Sequence, residues 1–187
     1  RINPKKNQNI IIINDWESIV GEIKAAYGSD EFYHEGHIKK GPYVVLNDDK
    51  GVMIACAKFS KVHWRIISLP GRYGSLLVKI LPFIPFLNRL IKPKNHFFLV
   101  PDVVLSKNNS PKDIESLFDG ALHLFGVNSL IWFIDPNKDI YKGQSKKIKW
   151  GLLDKILGEK KVALATRNHK TRYSEKRPVF VSAFDLI

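Results

Sequence analysis

The most constraining feature of the chain is a helix with both ends marked in the sequence. Ser110 stands at the N-cap position, Pro111 at the first helical position and Asp113 in the first turn. A serine oxygen accepts from early amides, proline loses no needed donor there, and an acid complements the helix dipole. Ile114, Leu117, Phe118, Ala121, Leu122 and Phe125 form one apolar stripe, and Gly126 closes it. Apolar runs of strand composition flank this helix, 97–105 before it and 129–134 after it. A single helix between two strands makes a right-handed crossover, which joins parallel neighbours. The two runs are therefore expected side by side and parallel. Pro101 removes a ladder donor inside the first run, so a bulge or break is expected there.

Upstream, 9–13 reads as a strand. Asn14 and Glu17 have capping-box spacing for a helix bearing Trp16, Ile19, Val20, Ile23 and Tyr27 on one face, stopped at Gly28. The segment 28–41 carries Asp30, Glu31, His34, Glu35 and His37. Its ligand spacing is poor for a metal, so it reads as a solvated loop bordering a pocket. Runs 43–46 and 52–59 flank Asn47-Asp48-Asp49-Lys50-Gly51, a hairpin signal. A third antiparallel strand is expected over 62–69, then a segment 76–90 that is helical in parts and bends at Pro82 and Pro85. Beyond the crossover come a helix over 148–157 and strands over 162–166 and 179–186. The order β-α-β-β-β-(insert)-β-α-β-α-β-β predicts an α+β or mixed α/β fold, a central mixed sheet flanked by helices. One domain is expected over 1–187, with an insertion at 70–94. Because residue 1 is Arg, a longer parent chain is expected.

Charge narrows the partners. Lys and Arg total 30 against 18 Asp and Glu, a net +12, which favours an anionic partner. The single Cys56 excludes an intrachain disulfide and a Cys-based zinc finger, and its apolar run predicts a buried inert thiol. Hydrolase and metalloenzyme signatures (Gly-x-Ser-x-Gly, His-Glu-x-x-His, a Walker loop) are absent, and no metal is expected. In the basic C-terminal third, including Lys146, Lys147, Arg167 and Arg172, neither exposed aromatics nor a reading helix is apparent. It reads as a solvated face, and nucleic acid is not expected. The apolar stretch 76–91 is interrupted by Lys79, Pro82, Pro85, Asn88 and Arg89, too broken to span a bilayer. A packed insertion is expected there, without membrane contact. No signal peptide is visible, and the cytoplasm is the expected compartment.

The second half of the chain resembles the GNAT superfamily of acyl-CoA N-acyltransferases. The resemblance rests on the strand Phe97-Phe98-Leu99-Val100-Pro101-Asp102-Val103-Val104-Leu105 and the helix 111–125. It rests also on Leu130-Ile131-Trp132-Phe133-Ile134 with Asp135-Pro136, and on a closing hairpin that includes Arg177-Pro178-Val179-Phe180-Val181. Element order extends it over 9–187. In that family the first strand splays from the next at a bulge, and the gap takes the pantetheine arm; Pro101 suits that place. The resemblance implies acyl-CoA as co-substrate and an amine acceptor. It implies Asp102 as a base and Tyr141 as an acid, and His63 is a further candidate if it faces the open side of the sheet. The pyrophosphate would lie at the helix N-terminus near Lys107, Asn108, Asn109, Ser110 and Lys112. The family's Arg/Gln-x-x-Gly-x-Gly/Ala loop is missing here: the loop has no glycine, and Pro111 lacks an amide. The weaker glycine loop Gly71-Arg72-Tyr73-Gly74-Ser75 is the other anion-binding register. Two alternatives stay open beside the enzyme. One is a non-catalytic domain of this fold that partners another domain of the same chain. The other is a basic module for anionic surfaces.

Overall fold

The structure is a computed structural model that describes residues 3–30, 33–39, 41–67, 74–135, 137–138, 147–151, 154–155, 178 and 180. Four strands form one sheet in the order β1-β2-β3-β4: Ile10–Ile13, Tyr43–Asn47, Met53–Trp64 and His96–Ser106. Every pairing among them is antiparallel. The β2–β3 hairpin turns as expected. The Asp48 carboxylate accepts from the amides of Lys50 and Val52, both at 2.9 Å, and Gly51 takes the positive φ of 80° that the turn requires.

Helices cover both faces of the sheet. On one face α5 (Pro111–Leu124) lays Ile114, Leu117, Phe118 and Ala121 against Val44, Leu46, Ala57, Phe59, Leu99 and Val104. Its start is as read: the Ser110 hydroxyl accepts from the Asp113 amide at 3.3 Å. At Gly120 the helix meets β1, and an added Cβ would lie 2.6 Å from the Ile10 Cδ1. On the other face α1 (Val20–Tyr27) and α2 (Glu35–Ile38) bury Ile19, Ile23, Tyr27 and Ile38 with Tyr43, Val45, Cys56 and Val103.

Several expectations change. The first helix starts at Val20, later than Asn14 and Glu17 implied, because the Asp15 carboxylate turns the chain locally by accepting from the Glu17 amide at 3.0 Å. The segment 28–41 is not a plain solvated loop: it contains α2 and a buried Asp30. The expected third strand over 62–69 does not stand alone. Met53–Trp64 is one continuous strand, and residues 65–67 lie outside it. Residues 129–134 do not form a ladder. Their pairing with β4 is the single parallel bridge Leu99–Leu130, in which the Leu99 amide donates to Ser129 O (3.1 Å) and the Ile131 amide to Leu99 O (2.9 Å). The direction matches the expected crossover; the length does not. Of the helix expected over 148–157, residues 148–151 are not helical while Asp154 and Lys155 are; the rest of it and nearly all of the last two strands lie outside the described residues.

Between β3 and β4 the chain makes an arm: α3 (Gly74–Ile80), a 3-10 turn (Leu81–Phe83) and α4 (Pro85–Leu90), bent at the two prolines as expected. Its base is held by the Ile66 amide donating to Pro93 O (2.8 Å) and by the Asn128 side chain donating to Arg89 O (2.9 Å). Leu90 and Ile91 are buried, whereas Leu76, Ile80 and Phe83 are exposed. The packed insertion expected from the sequence is therefore packed at its C-terminal end and bare toward the tip.

Candidate functional site

The outer edge of β4 is where the chain departs most from a regular sheet. Lys58 pairs with Val103 while Phe59 pairs with Pro101, so Asp102 is the extra residue of a bulge. Alternation points the backbone groups of Leu99, and hence of Pro101, away from β3 and toward that edge. A proline there costs no ladder bond. Beyond the bulge, Val104 turns the same way. Its amide donates to the Tyr27 hydroxyl (2.9 Å), and that hydroxyl donates to Val104 O (2.8 Å). One phenol thus satisfies both backbone groups where a fifth strand would pair. Burial pushes the Tyr27 pKa up, which keeps the phenol protonated and able to donate.

The bulge carries a polar cluster beneath α1 and α2. The Ser60 hydroxyl donates to Asp102 Oδ2 at 2.8 Å. Lys58 is buried beside them. Burial lowers its pKa, and the nearby Asp102 works in the opposite direction. Gly41, at φ 104°, brings bare backbone alongside: a Cβ there would stand 3.5 Å from the Lys58 Cε. A buried carboxylate held by a hydroxyl, with an amine nearby, has the composition of a proton-transfer site.

The other sequence candidates are scattered. His63 pairs with Phe97 and stacks on its ring at 4.5 Å, exposed near the far end of β3. Asp102 is five residue steps along β4 from Phe97, about 16 Å, so His63 and Asp102 do not share a reacting atom. Lys107 follows the other end of β4, five steps beyond Asp102, and Asn108 to Lys112 turn from there into α5. Their amides are largely committed: Lys107 N donates to Ile54 O (2.9 Å), Asn109 N to Ser106 O (3.1 Å) and Ser110 N to Ser106 Oγ (3.1 Å). Asn109 takes a φ of 47° to make this turn, the left-handed conformation expected of a glycine. Tyr141 and residues 71–73 of the second loop lie outside the described residues.

A cavity of about 90 Å³ lies between α5 and residues 128–130 and 148–151, lined in part by Glu115, Asp119, Ser129 and Trp150. Trp132 and Trp150 pack with Phe118 beside it. Its volume is well under the roughly 300–1,000 Å³ of a small-molecule pocket. Cys56 is buried, and its pKa is pushed up to about 12 by burial, so it is an inert thiol as read. The His34 ring accepts from the Gly36 amide at 3.1 Å and so caps α2. Among the described residues no group of three or more His, Cys, Asp or Glu side chains could hold a metal ion.

Three features escaped the sequence reading. Lys58 had a visible signal, the one charged residue in the apolar run 52–59. Tyr27 looked like one more apolar-face residue. Asp30 is buried against Lys138, whose ammonium sits 2.6 Å from its carboxylate and 4.2 Å from the Tyr27 ring centre. Burial raises the Asp30 pKa, and the Lys138 contact partly offsets this. No family model, curated protein or solved structure matches the chain. What the structure defines by itself is an α+β domain with a four-stranded antiparallel sheet between helices. No helix among the described residues is long and apolar enough to cross a membrane.

Proposed function

We propose that the chain is an acyl-CoA-dependent N-acyltransferase-like domain acting on an amine acceptor. One observation carries the reading: β4 and the chain after α5 share a single parallel bridge at Leu99, and the bulge at Asp102 follows just beyond it. Two parallel strands that part at a bulge are the arrangement the GNAT resemblance implies for a pantetheine arm. In this reading the acceptor nitrogen attacks the thioester carbonyl, the C–S bond breaks, and the CoA thiolate leaves. Asp102 takes the proton from the amine, and the leaving thiolate picks one up, with Tyr141 its donor by resemblance. Ser60 holds the carboxylate in one orientation, and Lys58 adds positive charge when protonated. Lys107 and Lys112 supply the charge that faces the diphosphate.

A second reading, a non-catalytic domain of the same fold, is favoured by the committed amides of the loop before α5. Thermal shift with acetyl-CoA and longer acyl-CoAs separates the two. Ligand at 100 times its Kd adds about 2.7 kcal/mol, which is about 5–10 °C for a chain of this size. Lys107→Ala with Lys112→Ala should weaken the binding and flatten its salt dependence. An unchanged melting temperature at millimolar ligand selects the non-catalytic reading.

A further inference from the structure

We propose that the arm between β3 and β4 seats on an anionic lipid bilayer, lying in the headgroup interface without crossing it. The inference goes beyond acyl transfer and does not depend on it. The sequence from Lys50 to Pro101 contains no Asp or Glu. Within it the arm and its base carry Arg65, Lys79, Arg89, Lys92 and Lys94. The same segment holds the most exposed large apolar side chains among the described residues: Phe83 at 84%, Ile67 at 83% and Leu76 at 53%. Trp64 and Phe97 stand exposed where the arm leaves the sheet.

Each of these features has a role at a bilayer surface. Apolar side chains enter the acyl boundary, aromatic rings sit at headgroup level, and lysines and arginines meet anionic lipid. The helices of the arm are short and broken by Pro82 and Pro85, so they lie on the surface; no helix among the described residues spans. Their main contacts are with one another rather than with the sheet, which leaves the tip uncovered. The buried Leu90 and Ile91 and the Ile66–Pro93 bond hold the base, while the tip stays exposed.

Charge selects this occupant over others. A second copy of the chain would bring the same acid-free arm to a symmetric contact, and like charges would face each other. A nucleic acid would use the lysines and arginines but has no use for Ile67, Leu76 and Ile80, since bases stack on aromatic rings. An anionic bilayer uses both halves of the surface.

Co-sedimentation of the chain with extruded vesicles tests the proposal. Vesicles of phosphatidylcholine mixed with phosphatidylserine should bind at least about tenfold more tightly than phosphatidylcholine alone, with binding that falls as salt rises. Ile67→Ser with Phe83→Ser should lower that binding at least about tenfold. The melting temperature should hold, because both side chains are already in water. Lys79→Glu with Arg89→Glu should abolish the preference for the anionic lipid. Failure to bind the mixed vesicles at low salt overturns the proposal, and so does equal binding to both vesicle types. Unchanged binding by the double serine variant would move the contact off the arm. A concentration-dependent dimer lost in that same variant would make the occupant a second copy, and the bilayer assignment falls.

Discussion

Tyr27→Phe isolates one hydroxyl at the edge of the sheet. The ring is kept, with its edge-on contact to Phe180 at 5.6 Å and the Lys138 ammonium over its face. What disappears is the acceptor for the Val104 amide and the donor to Val104 O. Val104 is 2% exposed, so water does not replace either partner. Leaving one buried polar group without a partner costs about 1–3 kcal/mol, and two such groups together cost about 2–5 kcal/mol. For a chain of this length that is a fall of roughly 5–15 °C in melting temperature. Urea titration at fixed pH reads the free energy directly, and the slope should stay constant because the exposed area is unchanged. Amide exchange supplies the specific signature: Val104 should lose protection beyond the global change. A loss below about 0.5 kcal/mol, with Val104 still protected, would show that the phenol does not close this edge.

Two smaller changes test other contacts. Gly120→Ala presses a methyl onto Ile10, whose Cδ1 and Cγ1 lie 2.6 and 2.7 Å from the new Cβ. Urea denaturation should show a net loss of about 1 kcal/mol, since overpacking outweighs the gain in helix propensity. In an Ile10→Ala background the same change should stabilise by up to about 1 kcal/mol; a loss there too would place the strain elsewhere. His96 is buried against Ser129 and Phe98, and burial lowers its pKa from the usual 6.5. The unfolded chain therefore takes the proton first as pH falls. This part of the stability is present above about 6.5 and is lost as pH drops toward the lowered folded value. His96→Phe should remove that slope from urea midpoints measured between about pH 7.5 and about pH 5; an identical slope in the variant would assign it to another group.

What the sequence made legible was local. The Ser110-Pro111 start of α5 and the Asp48–Gly51 turn are set by side chains within a few residues of the backbone they satisfy. Pro101 marked the bulge because a missing donor is visible without a partner strand. The continuity of β3 was not legible, since 52–59 and 62–69 read as two strands on either side of Ser60 and Lys61. The single bridge at Leu130 was not legible either, because an apolar run says it is buried and not which edge receives it. Nor was the clustering of Lys58, Ser60 and Asp102, which depends on a register shift between two strands. Lys138 and Asp30 stand far apart in the chain, and no periodicity links them.

The hydrogen bond between Ile66 and Pro93 brings the two ends of the arm side by side. Topologically the arm is an insert in a hairpin: β3 and β4 would keep their register around a far shorter connection. Lengthening such a loop is thermodynamically cheap, about 0.6 kcal/mol for each doubling. The four-stranded sheet therefore sets no length for what it displays at this end. Segments of quite different size could be exchanged across the same two residues while the bulge, the Tyr27 contact and the α5 face stayed as they are.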